Sequence, residues 1–327
     1  MNQTMDVGTG ATNGATPSSA AVAGPTFEEV ERRGDLTPES FLRDYARPNR
    51  PVVVTGQPFW SGGALPTLSS LRSLVGHKRL DEITGLAGGV GSAPALKKKM
   101  VTLGDFLTWL EEVEAELEGK ADRSLGTFAR QTQEGVPYLT NMGLPGNFPE
   151  LVERFTPAAC FGPNVLRRFD LTRDFAAGEI FVGPRATTFG QMHFDSHCVF
   201  VMTYQLFGRK KWNLFAPSES AHLYPTAQPD DWYPHQSQVN AENPDLEQFP
   251  LFAKAKGFST VLEPGDVLFC PSSWWHDTRN LTASISIAVR HVNRANARNV
   301  AIEHYLLGFI LRATRRYKRW IFERYPG

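Results

Sequence analysis

From about residue 136 to residue 292 the chain breaks into short apolar or alternating runs punctuated by proline and glycine. No other feature confines the fold as tightly. The runs are Pro137–Thr140, Glu179–Val182, Met192–Leu206, Lys211–Phe215, Phe258–Leu262, Val267–Cys270 and Ser284–Val292. Segments so short, bounded by turn residues such as Glu263-Pro-Gly-Asp266, read as strands of a sandwich, jelly roll or small barrel. Ahead of them the texture is helical. Thr37-Pro38 predicts a capped short helix to about Ala46, and Thr67 opens a second. Thr102 opens a third, ending near Gly119, with Leu103, Phe106, Leu107, Leu110 and Val113 on one face. Between the first two helices, Pro51–Thr55 predicts a buried strand. The expected fold class is therefore an all-β core with flanking helices.

Residues 1–25 are rich in Gly, Ala, Thr, Asn and Ser and are expected to be a disordered leader. One larger unit over 26–298 follows, divided into a helical part (26–135) and a β core (136–298). A helix over 299–327 closes the chain. Lys plus Arg equals Asp plus Glu, 34 each, so no global field draws the chain to nucleic acid, which is not expected as a partner. Cys160, Cys198 and Cys270 form no CxxC pair, which argues for a reducing compartment. Neither an apolar run long enough to span a bilayer nor a secretory signal is visible, so a cytoplasmic protein is expected.

The chemistry concentrates in His193-Phe-Asp195, inside an apolar run. A half-buried strand there would put His193 and Asp195 on one face, with Cα atoms roughly 7 Å apart. Taken alone, such a pair is as readily a surface strand pair or a hydrogen-bonded core histidine. A carboxylate amid Phe194, Cys198, Val199 and Phe200 needs a cation or a metal, however. His276, in Pro271-Ser-Ser-Trp-Trp-His276, offers a third ligand. Two imidazoles and one carboxylate make the set that leaves positions open on Fe(II) for a chelating cosubstrate and O2. A closed zinc site would favour thiolates, which are not suitably placed.

The order of motifs resembles the JmjC-type, cupin-fold 2-oxoglutarate oxygenases. It runs through Arg50-Pro-Val-Val-Val-Thr-Gly56, Phe181-Val-Gly-Pro184, His193-x-Asp195, Gly208-Arg-Lys-Lys-Trp212, Pro264-Gly-Asp266 and Trp274-Trp-His276. The likeness spans about residues 45–292 and is nearest to the protein hydroxylases that include factor inhibiting HIF and the JmjC arginyl hydroxylases. Its least generic part is Ser237-Gln-Val-Asn240 with Glu242-Asn-Pro-Asp-Leu-Glu-Gln-Phe-Pro250, inside a polar insertion over 226–252. The resemblance implies a double-stranded β-helix with Fe(II) at its mouth and 2-oxoglutarate and O2 as cosubstrates. It also implies that Lys210 pairs with the distal carboxylate of 2-oxoglutarate, assisted by the hydroxyl of Tyr138 and one from a Thr or Ser before the first ligand.

Three departures stand out against that pattern. The span from Asp195 to Gly208 is longer by two residues, which preserves strand parity. Gly190 occupies the usual Thr/Ser position, leaving Thr188 as the substitute hydroxyl. Val199 or Thr203 stands where relatives place Asn or Gln. Further pocket candidates are His197, two residues beyond Asp195 on the same expected strand face, Arg290 and Trp275. The terminal helix carries Arg312, Arg315, Arg316 and Arg319 on one stripe. It is read as an amphipathic helix packed on the barrel or as a homodimer contact. The function implied is hydroxylation of a C–H bond on a protein or peptide side chain. Tailoring of a small molecule or carrier-bound amino acid, and a non-catalytic cupin-fold binding protein, remain open alternatives.

Overall fold

The computed structural model describes residues 24–83, 100–117, 138–168, 178–188, 191–195, 197–226 and 235–303. The leader expected over 1–25, save its last two residues, lies outside that set. So do Gly190 and the closing helix beyond 303.

Three helices begin as their caps require. In α1 (Pro38–Phe41), Ser40 N donates to Thr37 Oγ1 at 3.2 Å while Thr37 N donates to Ser40 Oγ at 2.9 Å. Thr67 and Ser70 repeat this box at the start of α2 (Leu68–Val75). Thr102 and Asp105 do so for α3 (Leu103–Leu117). Such a cap is worth about 1 kcal/mol. The α1 helix continues as one wide π turn, Leu42–Ala46, and stops where expected.

Two sheets face each other. The major one runs in the order β2 (Arg32–Arg33), β3 (Val52–Val54), β11 (Val267–Cys270), β6 (Phe200–Phe207), β13 (Ser284–His291), β5 (Glu179–Gly183) and β4 (Leu139–Gly143). The minor one orders β1 (Thr26–Glu29), β10 (Lys256–Leu262), β7 (Lys210–Phe215) and β12 (Trp275–Asn280). A two-stranded ribbon, β8 (Pro225–Thr226) with β9 (Gln236–Ser237), lies in the insertion. Thr26–Arg33 thus contributes to both sheets, pairing parallel with β10 and then with β3. Arg32 adds an ion pair to Asp266 at 2.5 Å.

The strand period of two sorts side chains into layers. On the outer face of the major sheet, Phe200, Met202, Tyr204 and Leu206 of β6 and Ile285, Ile287 and Val289 of β13 bury against the helices. Leu71 and Val75 of α2 and Phe106, Leu107 and Leu110 of α3 join that cluster. Between the sheets, Val53, Val201, Trp212, Leu214, Leu268 and Trp274 form a second core. Outside the minor sheet, Phe215, Trp275, Leu223, Val239, Phe249 and Phe252 form a third, under the insertion. These layers are those of a jelly-roll double-stranded β-helix.

Two details depart from the sequence reading. The run Met192–Leu206 is not one strand. Met192–Phe194 lies along the edge of β12, and β6 begins only at Phe200, in the other sheet. The chain crosses between sheets through His197 (φ 69°) and Cys198 (φ 51°), so apolar residues continuous in sequence belong to different sheets. The β6 ladder is itself irregular, its pairing with β13 stepping from Phe207 opposite Ile285 to Gln205 opposite Ser286. Second, β12 was not anticipated, because Trp-His-Asp-Thr-Arg-Asn reads as polar although Trp275, His276, Thr278 and Asn280 are all buried.

Candidate metal and cosubstrate site

The polar end of the space between the sheets is a cavity into which alternate residues of five strands point. These are Glu179 and Phe181 of β5, Val201 and Thr203 of β6, Lys210 and Trp212 of β7, His276 and Thr278 of β12, and Ser286, Ala288 and Arg290 of β13. Asn141, His193 and Asp195 complete the lining.

His193 and His276 are held to each other by paired backbone bonds, His193 N to His276 O at 3.0 Å and His276 N to His193 O at 2.7 Å. Their ring centroids are 4.5 Å apart. Nδ1 of His193 is 2.9 Å from Gln191 O, and Nδ1 of His276 is 3.0 Å from Trp274 O. A carbonyl can only accept, so each Nδ1 carries the proton and each lone pair lies on Nε2. His276 Nε2 is 3.7 Å from Asp195 Oδ2. Burial, and then the neighbouring His276, hold His193 down at about 4, so at neutral pH its ring is unprotonated. Burial raises the carboxyl of Asp195, but His276, His193 and Arg290 outweigh it and keep the group below the usual carboxylate range. No group of three His, Cys, Asp or Glu side chains among the described residues is closed tightly enough to hold an ion as it stands.

Lys210 is 3% exposed. Its Nζ donates to Tyr138 Oη at 3.0 Å and lies 5.6–5.8 Å from the ring centres of Tyr138, Phe181 and Trp212. Among the described residues no carboxylate pairs with it. Gly183 makes this possible, since a Cβ there would stand 2.5 Å from the Tyr138 ring. Gly208 (φ 69°) supplies the tight turn that starts β7, and a Cβ there would strike Ala283 O at 1.8 Å. Opposite, Arg290 Nη1 donates to Glu179 Oε2 at 2.6 Å. Burial pushes the Glu179 carboxyl up despite that partner.

The structure therefore brings His193, Asp195, His276, Lys210, Tyr138, Thr203 and Arg290 together. Three other candidates do not join them. Thr188 sits in a backbone bridge with Arg279 and does not line the cavity. His197 is exposed in the crossing turn, because the strand expected to carry it does not extend that far. Trp275 alternates with His276 along β12 and so faces the third core, where its Nε1 donates to Ser220 Oγ at 2.8 Å. Sequence reasoning missed Glu179, whose charge at the inward position of a buried strand was the available signal, and Asn141, Thr278 and Ser286.

A family model described as "Cupin-like domain" matches residues 38–303. The chain belongs to the cupin-like domain family. Lysine-specific demethylase 8 of Danio rerio is 30% identical to this cupin-like chain over 285 residues, 83% of the chain and 60% of that protein. HSPB1-associated protein 1 of Homo sapiens is 46% identical over 85 residues, 26% of the chain and 17% of that protein. JmjC domain-containing protein D of Dictyostelium discoideum is 36% identical over 107 residues, 33% of the chain and 23% of that protein. The chain thus spans about three fifths, or less, of the lengths of these relatives. The likeness to JmjC-type 2-oxoglutarate oxygenases drawn from the motifs is borne out. No helix among the described residues is long and apolar enough to cross a membrane.

The residues present suit the groups the family implies. The donor set is two imidazoles, each with Nδ1 committed to a backbone carbonyl, and one carboxylate, the open set preferred by Fe(II). Thr203 Oγ1, Trp212 Nε1, Thr278 Oγ1 and Ser286 Oγ belong to residues lining the same cavity and are buried polar atoms without hydrogen-bond partners among the described residues. Orphans gathered in one place mark a cavity built to receive a polar ligand.

Proposed function

We propose that this chain is an Fe(II)- and 2-oxoglutarate-dependent dioxygenase that hydroxylates an unactivated C–H bond on a protein or peptide side chain. Lys210 carries the reading. A buried ammonium whose partners are one phenol and three ring faces is costly unless an anion completes its surroundings. The distal carboxylate of 2-oxoglutarate is such an anion, with Tyr138 Oη as a second anchor. His193, Asp195 and His276 would hold the iron, the imidazoles fixed through Nδ1 by Gln191 O and Trp274 O. The bound ion, with O2 and the oxoacid, supplies the oxidising chemistry. That chemistry would place one oxygen atom of O2 in succinate, released with CO2, and the other in the substrate. Phe181 and Trp212 wall the cavity from water, while the Glu179–Arg290 pair gives its lining one charge of each sign. The Danio rerio relative is named for action on lysine, which favours an amino-acid side chain over a free small molecule.

Purified protein with Fe(II) and 2-oxoglutarate should release succinate slowly without substrate, and His193→Ala should abolish that release. Peptides that couple turnover should gain one oxygen atom by mass. Absence of both turnover and 2-oxoglutarate binding would instead establish the non-catalytic binding protein.

A further inference from the structure

The motif Ser237-Gln-Val-Asn240 with Glu242 lies outside the cavity, on the far side of the minor sheet. Each of its residues nonetheless does something definite. Ser237 N donates to Met192 O at 2.7 Å, and Phe194 N donates to His235 O at 3.1 Å, so β9 and its neighbour flank the first metal-ligand candidate on both sides. Ser237 Oγ donates to Leu223 O at 2.5 Å and accepts from Val239 N at 3.0 Å. Asn240 Oδ1 accepts from Glu242 N and Asn243 N, a local turn that points the Glu242 side chain back toward the sheet. There Glu242 Oε1 accepts from Lys211 Nζ and Asn213 Nδ2, both at 2.9 Å on β7, and Oε2 accepts from Arg279 Nη1 at 3.3 Å on β12. One carboxylate, 16% exposed, thus ties the insertion to the two strands that carry Lys210 and His276.

We propose that Glu242 is a positioning residue for the metal site: its triple clasp on β7 and β12 fixes residues 235–237, and these set His193 against His276. The inference rests on the metal reading given above. The sheet edge is a short hold: among the described residues the backbone of Met192–Phe194 meets β12 at the single bridge of His193, the Phe194 ring packs on Trp275 at 4.7 Å, and the backbone bonds on either side of His193 go to 235–237. Outer partners of this kind are typically worth 10–100-fold in metal affinity.

The test titrates Co(II) chloride into the full chain, following its visible absorption, for wild type, Glu242→Gln, Lys211→Gln and a control, Glu150→Gln. The control breaks the Lys78–Glu150 ion pair, 2.8 Å long and remote from the sheet edge. Glu242→Gln should weaken Co(II) binding about 10-fold and alter the band shape, Lys211→Gln should do so to a lesser degree, and Glu150→Gln should lower thermal stability alone. Hydrogen exchange should show the Phe194 and Ser237 amides losing protection in the two clasp variants. If Glu242→Gln does not fold, Lys211→Gln decides alone. Unchanged Co(II) affinity together with unchanged exchange at those amides would overturn the clasp. If wild type binds Co(II) no better than His193→Ala, the metal reading falls, and amide exchange alone then decides whether the clasp holds that segment.

Discussion

At the scale of single residues, Lys210 and Gly183 divide one task. Replacing Lys210 by Met keeps the stem and removes the charge. We expect 2-oxoglutarate affinity, measured by calorimetry, to fall by about 10–100-fold, the worth of one charge-assisted contact. The unliganded variant should melt no lower than wild type, since an anionless buried ammonium contributes little or negative stability. A lower melting temperature with intact affinity would show that the lysine is structural. Gly183→Ala places a methyl 2.5 Å from the Tyr138 ring and must displace it. Weaker 2-oxoglutarate binding and a stability loss of about 1–3 kcal/mol should appear together in that variant. Much of this is legible in the sequence: His193, Asp195, His276 and Lys210 line one cavity, and Tyr138 adjoins it through its bond with Lys210. Thr188 and Trp275 were misplaced for local reasons, a backbone bridge in the first case and strand alternation in the second.

At the scale of elements, the strands were legible wherever one face was apolar and the other was not. The edge segment Met192–Phe194 was fused with β6 because the crossing between sheets is only a few residues long and carries no glycine or proline. The polar strand β12 is not legible because its outward face is polar and only half-buried, with Trp275 buried and Asp277 and Arg279 partly covered. Asp277 there is pushed up to about 7 by burial, with Glu242 adding to the effect. Elements are joined by side chains as well as by ladders. Tyr204 of β6 crosses the helical layer to accept from Ala158 N at 3.1 Å, amid Phe59, Phe155 and Phe161. Tyr204→Phe keeps the ring and leaves that buried N–H unsatisfied, so chemical denaturation should record a loss of about 1–3 kcal/mol. A loss below about 0.5 kcal/mol would mean the amide finds another acceptor.

For the whole molecule, helices, major sheet, cavity, minor sheet and insertion form a stack whose outer layers must stay pressed on the inner ones. Acid should loosen it from the insertion side. Burial raises the Glu242 carboxyl, but Lys211, Asn213 and Arg279 outweigh that and hold it below its ordinary value of 4.5. A depressed carboxylate contributes fully above that ordinary value and loses its contribution as pH falls through the folded one. Urea midpoints at about pH 4 and about pH 7 should therefore differ less in Glu242→Gln than in wild type. Equal differences would place the acid-labile groups elsewhere.

The parallel pairing of Thr26–Glu29 with Lys256–Ser259 of β10 ends at Glu29, and Arg32–Arg33 then joins the opposite sheet. This short stretch is a seam that closes both halves of the roll. Anyone trimming the chain for crystallisation should cut upstream of Thr26. A cut after Arg33 would bare the rim of β10 from Lys256 to Ser259, and such a rim recruits any extended backbone it meets, beginning with copies of itself in the tube.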